Sequence, residues 1–255
     1  MKFRIDSSGF FLREENRGSV TVMNLETNQV VYINATGRRV FDRCDETVDF
    51  DEFIDGLDYP SVSREKLCDD YKKLLIKLYA NGFAALTGIE RRTEDGCFIA
   101  APEDIDALSS FLRAACSNAN SCAAAVSPVY YSRYAVYSRI LNGQTPYLYL
   151  QRGGRIIAAA DAQAAALGLG ESVVSLGSFF FDEKLSGDEC GNAVKELTEL
   201  AAAAARQSAS KLRYMYMNPR QDKIVQTLVQ IGFRNTAVLE KEVNGRDLCL
   251  YDLFI

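Results

Sequence analysis

The sequence predicts an α+β chain of two domains, a small one built as three strands then three helices, and a larger one of mixed α/β order. Three observations predict this. The first 85 residues hold three short β-branched or aromatic runs followed by helical patterns. A polar, aperiodic stretch with two glycines, Thr87 to Gly96, then interrupts the chain. Beyond it, strands and helices alternate to the end of the 255 residues. The domains are therefore set at 1–88 and 97–255.

In the first domain, Phe10-Phe11-Leu12, then residues 19–25, then Val30-Val31-Tyr32-Ile33 read as strands, separated by short turns at Asn16-Arg17-Gly18 and Thr27-Asn28-Gln29. Asn34 is placed to cap a helix running to about Cys44, and Asp49 to cap another over 50–57. Ser63 caps a longer one, in which Leu67, Tyr71, Leu74, Leu75 and Leu78 recur on one face and Asn81-Gly82 supplies the stop.

In the second domain a strand at 97–100 leads to Pro102, suited to a first helical turn. Ile105, Leu108, Leu112 and Ala115 form an amphipathic face, and 131–141 a second helix. Strands at 147–151 and 155–162 flank Arg152-Gly153-Gly154, a hairpin signal. A long strand at 172–181, an alanine-rich helix at 188–208, a strand at 211–217, a helix at 222–231 and strands at 234–243 and 247–254 complete the pattern.

Composition narrows the chemistry. There is no histidine, which excludes Ser-His-Asp and Cys-His nucleophilic sites and His-ligated metals within this chain. The seven cysteines are scattered and never spaced C-x-x-C, so no metal site is expected and a reducing, cytoplasmic setting is. Net charge is −5, and neither a membrane span nor a signal segment is expected from the apolar patterning. The helix at 64–79 carries five basic and three acidic residues, a net +2 too weak to predict a nucleic-acid partner.

The run Val30-Val31-Tyr32-Ile33-Asn34-Ala35-Thr36-Gly37-Arg38-Arg39-Val40-Phe41, its spacing to Phe53-Ile54, and the closing Asn81-Gly82-Phe83 resemble the PqqD family. The resemblance implies a winged-helix-like module that recognises the leader of a ribosomally made precursor peptide. The leader would add as a strand beside Val30, Val31, Tyr32 and Ile33 and pack on Leu67, Tyr71 and Leu74, some of which also serve the core. Val31→Pro is expected to abolish leader binding by removing an edge donor.

The second domain's strand and helix order, with Tyr214-Met215-Tyr216-Met217 and Ile231-Gly232-Phe233-Arg234, resembles the GNAT N-acyltransferases, and the Ser127–Leu141 stretch with the long tail faintly resembles their β-lysine acetyltransferase branch. That resemblance implies an acyl-CoA or acetyl-CoA cosubstrate held at a helix N-terminus by an R-x-x-G-x-G loop, with strand amides polarising the thioester carbonyl. The matching stretch supplies Phe179, Phe181, Lys184, Ser186, Gly187, Cys190, Gly191 and Asn192. One register sets Ser186 at the arginine position and Gly191 at the last glycine, and another uses Lys184 and Gly187. Both leave Glu189 where a small residue belongs, and Ser186-x-x-Glu189 is a capping box. Leu228 stands where many members carry a general-acid tyrosine. Tyr214, Tyr216 or Cys190 are the candidate catalytic substitutes, or else packing, and Tyr130, Tyr131 and Tyr134 are candidates to line a substrate cleft.

The resemblances together imply an N-acyltransferase acting on a precursor peptide bound through the first domain. The alternative is a non-catalytic scaffold with a degenerate acyltransferase fold, presenting the leader to a partner maturation enzyme.

Overall fold

The computed structural model describes residues 1–26, 28–88, 92–123, 127–142, 146–166, 172–206, 209–217, 221–243 and 245–255. The chain divides into two compact units, Met1–Glu90 and Arg91–Ile255.

In the first unit, β1 (Lys2–Arg4) is the centre of one small sheet, between β5 (Thr47–Asp49) and β6 (Ala85–Thr87). A second antiparallel sheet runs in the order β2 (Phe10–Glu14), β3 (Val20–Asn24), β4 (Val30–Ile33). Helices α1 (Phe50–Asp55) and α2 (Arg64–Ala80) start at the expected caps, because Asp49 accepts from the amides of Asp51 and Glu52, and Ser63 from that of Lys66. The helix expected to follow Asn34 is instead a 3₁₀ segment, Gly37–Arg43, with the Asn34 carboxamide accepting the Gly37 N–H at 2.8 Å. The module is therefore six strands, two α-helices and three 3₁₀ segments (Ser7–Gly9, Asn16–Gly18 and Gly37–Arg43) among its described residues, which corrects the reading of three strands followed by three helices. Phe3, Val20, Val22, Val31, Ile33, Phe53, Leu67, Tyr71, Leu75 and Leu78 meet in one core.

Within β2-β3-β4 the register fixes which backbone groups face outward. Asn24 and Gln29 form a directly bonded pair, with Asn24 N–H donating to Gln29 C=O at 2.8 Å. Alternation along the ladder makes Val22 and Val31, then Val20 and Ile33, the next such pairs. The N–H and C=O of Val30 and Tyr32 thus point to the outer edge, and those of Val31 point to β3.

The second unit is a seven-stranded sheet flanked by helices. Along the chain come β7 (Gly96–Ile99), α3 (Ile105–Ala115), a 3₁₀ turn at Pro128–Tyr131, α4 (Arg133–Asn142), β8 (Tyr147–Arg152), β9 (Arg155–Ala166) and β10 (Ser172–Phe181). Then follow α5 (Gly187–Ala205), β11 (Lys211–Tyr216), α6 (Asp222–Ile231), β12 (Arg234–Val243) and β13 (Arg246–Phe254). The sheet order is β12-β13-β11-β10-β9-β8-β7, with every pairing antiparallel but β10 with β11. The mixed α/β expectation for this unit is met. The helix expected at 131–141 begins two residues later, as α4 from Arg133, and Tyr131 instead closes the 3₁₀ turn Pro128–Tyr131.

The parallel pair is short. Val173 to Leu176 of β10 register with Lys211 to Tyr214 of β11, after which the pairing stops. On its other side β10 continues along β9 through a register shift between Leu176 and Phe179. The bulge redirects β10 away from β11, so the two strands splay at their C-terminal ends. Crevices at such ends of parallel strands are where α/β proteins commonly place ligands.

Candidate functional site

Beside the splay lies a cleft of about 460 Å³ lined by Cys122, Tyr131, Arg139, Asp161, Ser178 and Gln221, with other residues of β10 and β11. Asp161 comes from β9 and lies over the bulge, where its carboxylate accepts the Ser178 N–H at 2.8 Å. Any side chain at Gly177 would overlap that carboxylate, so glycine at 177 is what lets it sit there. Burial raises the Asp161 pKa, against the lowering effect of the Ser178 hydrogen bonds and the Arg139 charge. Arg139 is bonded to the Tyr147 hydroxyl and lies near the rings of Tyr131 and Tyr147. Burial pushes the Tyr147 phenol up to about 12. The cleft thus combines a carboxylate of raised proton affinity, a fixed cation and a redirected strand, an arrangement able to accept a proton from a bound amine.

The predicted cofactor residues do not all meet. Phe181, Gly187, Cys190 and Gly191 share a pocket of about 240 Å³ with Lys223 and Thr227 of α6 and with Ala119 and Asn120. Gly187, Gly191 and Asn192 also line a shallow cleft of about 620 Å³ along α5 and α6, beside Lys195 and Lys223. Lys184 lies elsewhere, lining a third cleft with Asp182, Glu183 and Asn118. Phe179 is fully buried and stacks with Phe181. The start of α5 is self-capped: Ser186 Oγ accepts the Glu189 N–H at 3.4 Å, and the Glu189 carboxylate accepts the Ser186 N–H at 2.8 Å. The Ser186 backbone and side-chain hydrogen bonds hold the Glu189 pKa below its usual range. That keeps a negative charge beside the amides expected to hold a diphosphate.

The candidate catalytic residues are dispersed. Tyr214 is fully buried, its hydroxyl accepting from Gln221 Nε2 at 3.0 Å, and burial raises its pKa beyond the range useful for proton donation near neutrality. Tyr216 donates to Asp222 at 2.8 Å, which raises its pKa. Cys190 lines the α5–α6 pocket, with its thiol pKa raised by burial. Leu228, at the expected tyrosine position, is a buried core residue. Of the three other tyrosines, Tyr131 reaches the Asp161 cleft while Tyr130 and Tyr134 are exposed.

The outer edge of β10 beyond the bulge is filled by the chain itself. Cys122 and Phe179 form a mutual backbone pair, N–H to C=O at 2.8 Å and 3.1 Å. Two residues on, the Phe181 N–H donates to Ser121 Oγ at 3.0 Å and its C=O accepts from Asn118 Nδ2 at 3.0 Å. Sequence reasoning found neither Asp161 nor this closure. A lone carboxylate among the apolar residues 156–162 was the available signal for the first.

In the first unit, the predicted peptide residues Tyr32, Ile33, Leu67, Tyr71 and Leu74 do meet. They line a groove of about 700 Å³, together with Asn34, Thr36, Gly37, Tyr59, Val62, Lys66 and Asp70. Val30 and Tyr32 are exposed, whereas Val31 and Ile33 are buried in the core. Val31 is therefore a core and ladder residue, and its replacement by proline would break the bond to β3 and leave the outer edge's donors in place.

No family model matches the chain, and none of the curated proteins does. Among solved structures it is similar to the ribosomal-protein-S5-alanine acetyltransferase of Vibrio fischeri (TM-score 0.48, 13% identity, 62% of this chain and 91% of that one). It is also similar to the ribosomal-protein-alanine N-acetyltransferase of Brucella melitensis (TM-score 0.47, 18% identity, 62% and 99%). A third likeness is to the polyamine N-acetyltransferase of Drosophila melanogaster (TM-score 0.46, 13% identity, 64% and 100%). At these scores the likenesses add no weight to the strand order, which stands on its own register.

Proposed function

We propose that the protein is an N-acyltransferase of the GNAT type that modifies a precursor peptide recruited by its first unit. The observation that carries this reading is the divergence of β10 from β11, which opens a cleft around Asp161 just ahead of the start of α5. An acyl-CoA would lie with its diphosphate toward α5 and its thioester at the splay. Asp161 would take the proton of the acceptor ammonium, and the free amine would attack the carbonyl. The tetrahedral intermediate would then collapse to the amide as the C–S bond breaks, and the surplus proton on the nitrogen would pass to the departing thiolate, which leaves as CoA thiol. The leader would extend the β2-β3-β4 sheet at the outward groups of Val30 and Tyr32, with its side chains in the groove above α2. Holding the leader raises the effective concentration of the attached acceptor.

The test is calorimetric titration of the full chain with acetyl-CoA and free CoA. Binding in the micromolar range is expected, and none at millimolar ligand would remove the CoA-dependent enzyme. Asp161→Asn supplies a second check. The folded-state pKa of Asp161 is raised, so its ionisation costs stability as pH rises above the ordinary aspartate value. The variant should therefore melt higher than the parent at pH 7 and equally near pH 3, while losing acyl transfer. A lower melting point at pH 7 would show that the carboxylate is a structural partner.

A second reading is favoured by the filled edge of β10 and the capping box of α5: a scaffold that presents the leader to a partner maturation enzyme. Absence of CoA binding would make it the leading account.

A further inference from the structure

Residues 118–122 stand between two of the cavities described above. Ala119 and Asn120 line the pocket at the start of α5, while Cys122 lines the Asp161 cleft. Between them the segment takes up the outward backbone groups of β10 at Phe179 and Phe181 through four hydrogen bonds. An extended donor reaching from α5 to Asp161 would need that same edge, and strand amides polarising its carbonyl would have to come from Phe179 or Phe181.

We propose that residues 118–122 form an internal gate, a strap that competes with the acyl donor for the β10 edge and must lift before transfer. This rests on the acyltransferase reading. The strap suits the part. Half of its hold on β10 comes from two side chains, Asn118 and Ser121, so it can release without unpairing β9 from β10. It also satisfies every outward group that departure of a ligand would otherwise leave bare at Phe179 and Phe181. A ligand that displaces it meets an apparent affinity reduced by the closed fraction.

The test titrates acetyl-CoA into the full chain and into N118A/S121A, with S121T as the variant that keeps the hydroxyl. Loss of two hydrogen bonds should tighten acetyl-CoA binding roughly tenfold, while S121T stays near the parent value. In the parent, saturating acetyl-CoA should speed hydrogen exchange at the Cys122 amide, which donates to Phe179 in the closed form. Equal affinity for parent and double variant, with Cys122 still protected, would overturn the gate and leave the acyltransferase reading standing. No binding by either protein at millimolar ligand would overturn both, making the strap a permanent strand of the sheet.

Discussion

β4 and the second half of β10 each have an edge that another strand could fill, and the chain treats them oppositely. β4 ends its sheet with the groups of Val30 and Tyr32 turned outward and both side chains exposed. β10 turns the groups of Phe179 and Phe181 outward and covers them with residues 118–122. An uncovered edge invites strand addition and is a standing aggregation hazard, which natural proteins accept mainly where a partner uses it. A covered edge can serve a ligand only after paying for the contacts it gives up.

Proline substitution breaks this comparison most forcefully. Val31→Pro removes a donor aimed at β3, leaves its acceptor unsatisfied and loses a buried side chain's packing, and should cost about 2–4 kcal/mol. Tyr32→Pro removes an outward donor and the Tyr32 hydroxyl bond to Ser19, and should cost only about 1 kcal/mol. Thermal melting followed by circular dichroism checks both. If the two variants lose equal stability, the outward assignment of Tyr32 is wrong and so is the docking edge built on it.

What could be read in the sequence followed from how local the determinants are. Asp49, Ser63 and Ser186 announce helix starts because a cap acts within three residues. The long β10 was legible from its β-branched and aromatic run. β1, β5 and β6 were missed because three residues, such as Lys2-Phe3-Arg4, are too few to show a period, and their pairing joins residues more than forty positions apart. β9 extends beyond the expected end at 162 to Ala166, because pairing with β10 overrides the low strand propensity of alanine. Asp161 and the strap were hidden for the same reason: their roles depend on Ser178 and Phe181, brought close only by the folded sheet.

The smallest predicted effect sharpens the contrast at the start of α5, a second place where the chain satisfies groups a ligand could use. Ser186→Ala deletes the oxygen that accepts the Glu189 N–H and the hydroxyl that bonds the Glu189 carboxylate, leaving the Ser186 backbone bond to Glu189 intact. A lost N-cap costs about 1 kcal/mol, so the second unit's unfolding midpoint should fall by roughly 2–4 °C. The freed amide of Glu189 then has no partner within the helix, which favours an anion there, while the Glu189 charge next to it still opposes one. Acetyl-CoA affinity should consequently rise less in Ser186→Ala than in N118A/S121A, because only the strap lies across the path to Asp161. A larger gain from Ser186→Ala would move the closure from the strand edge to the helix end.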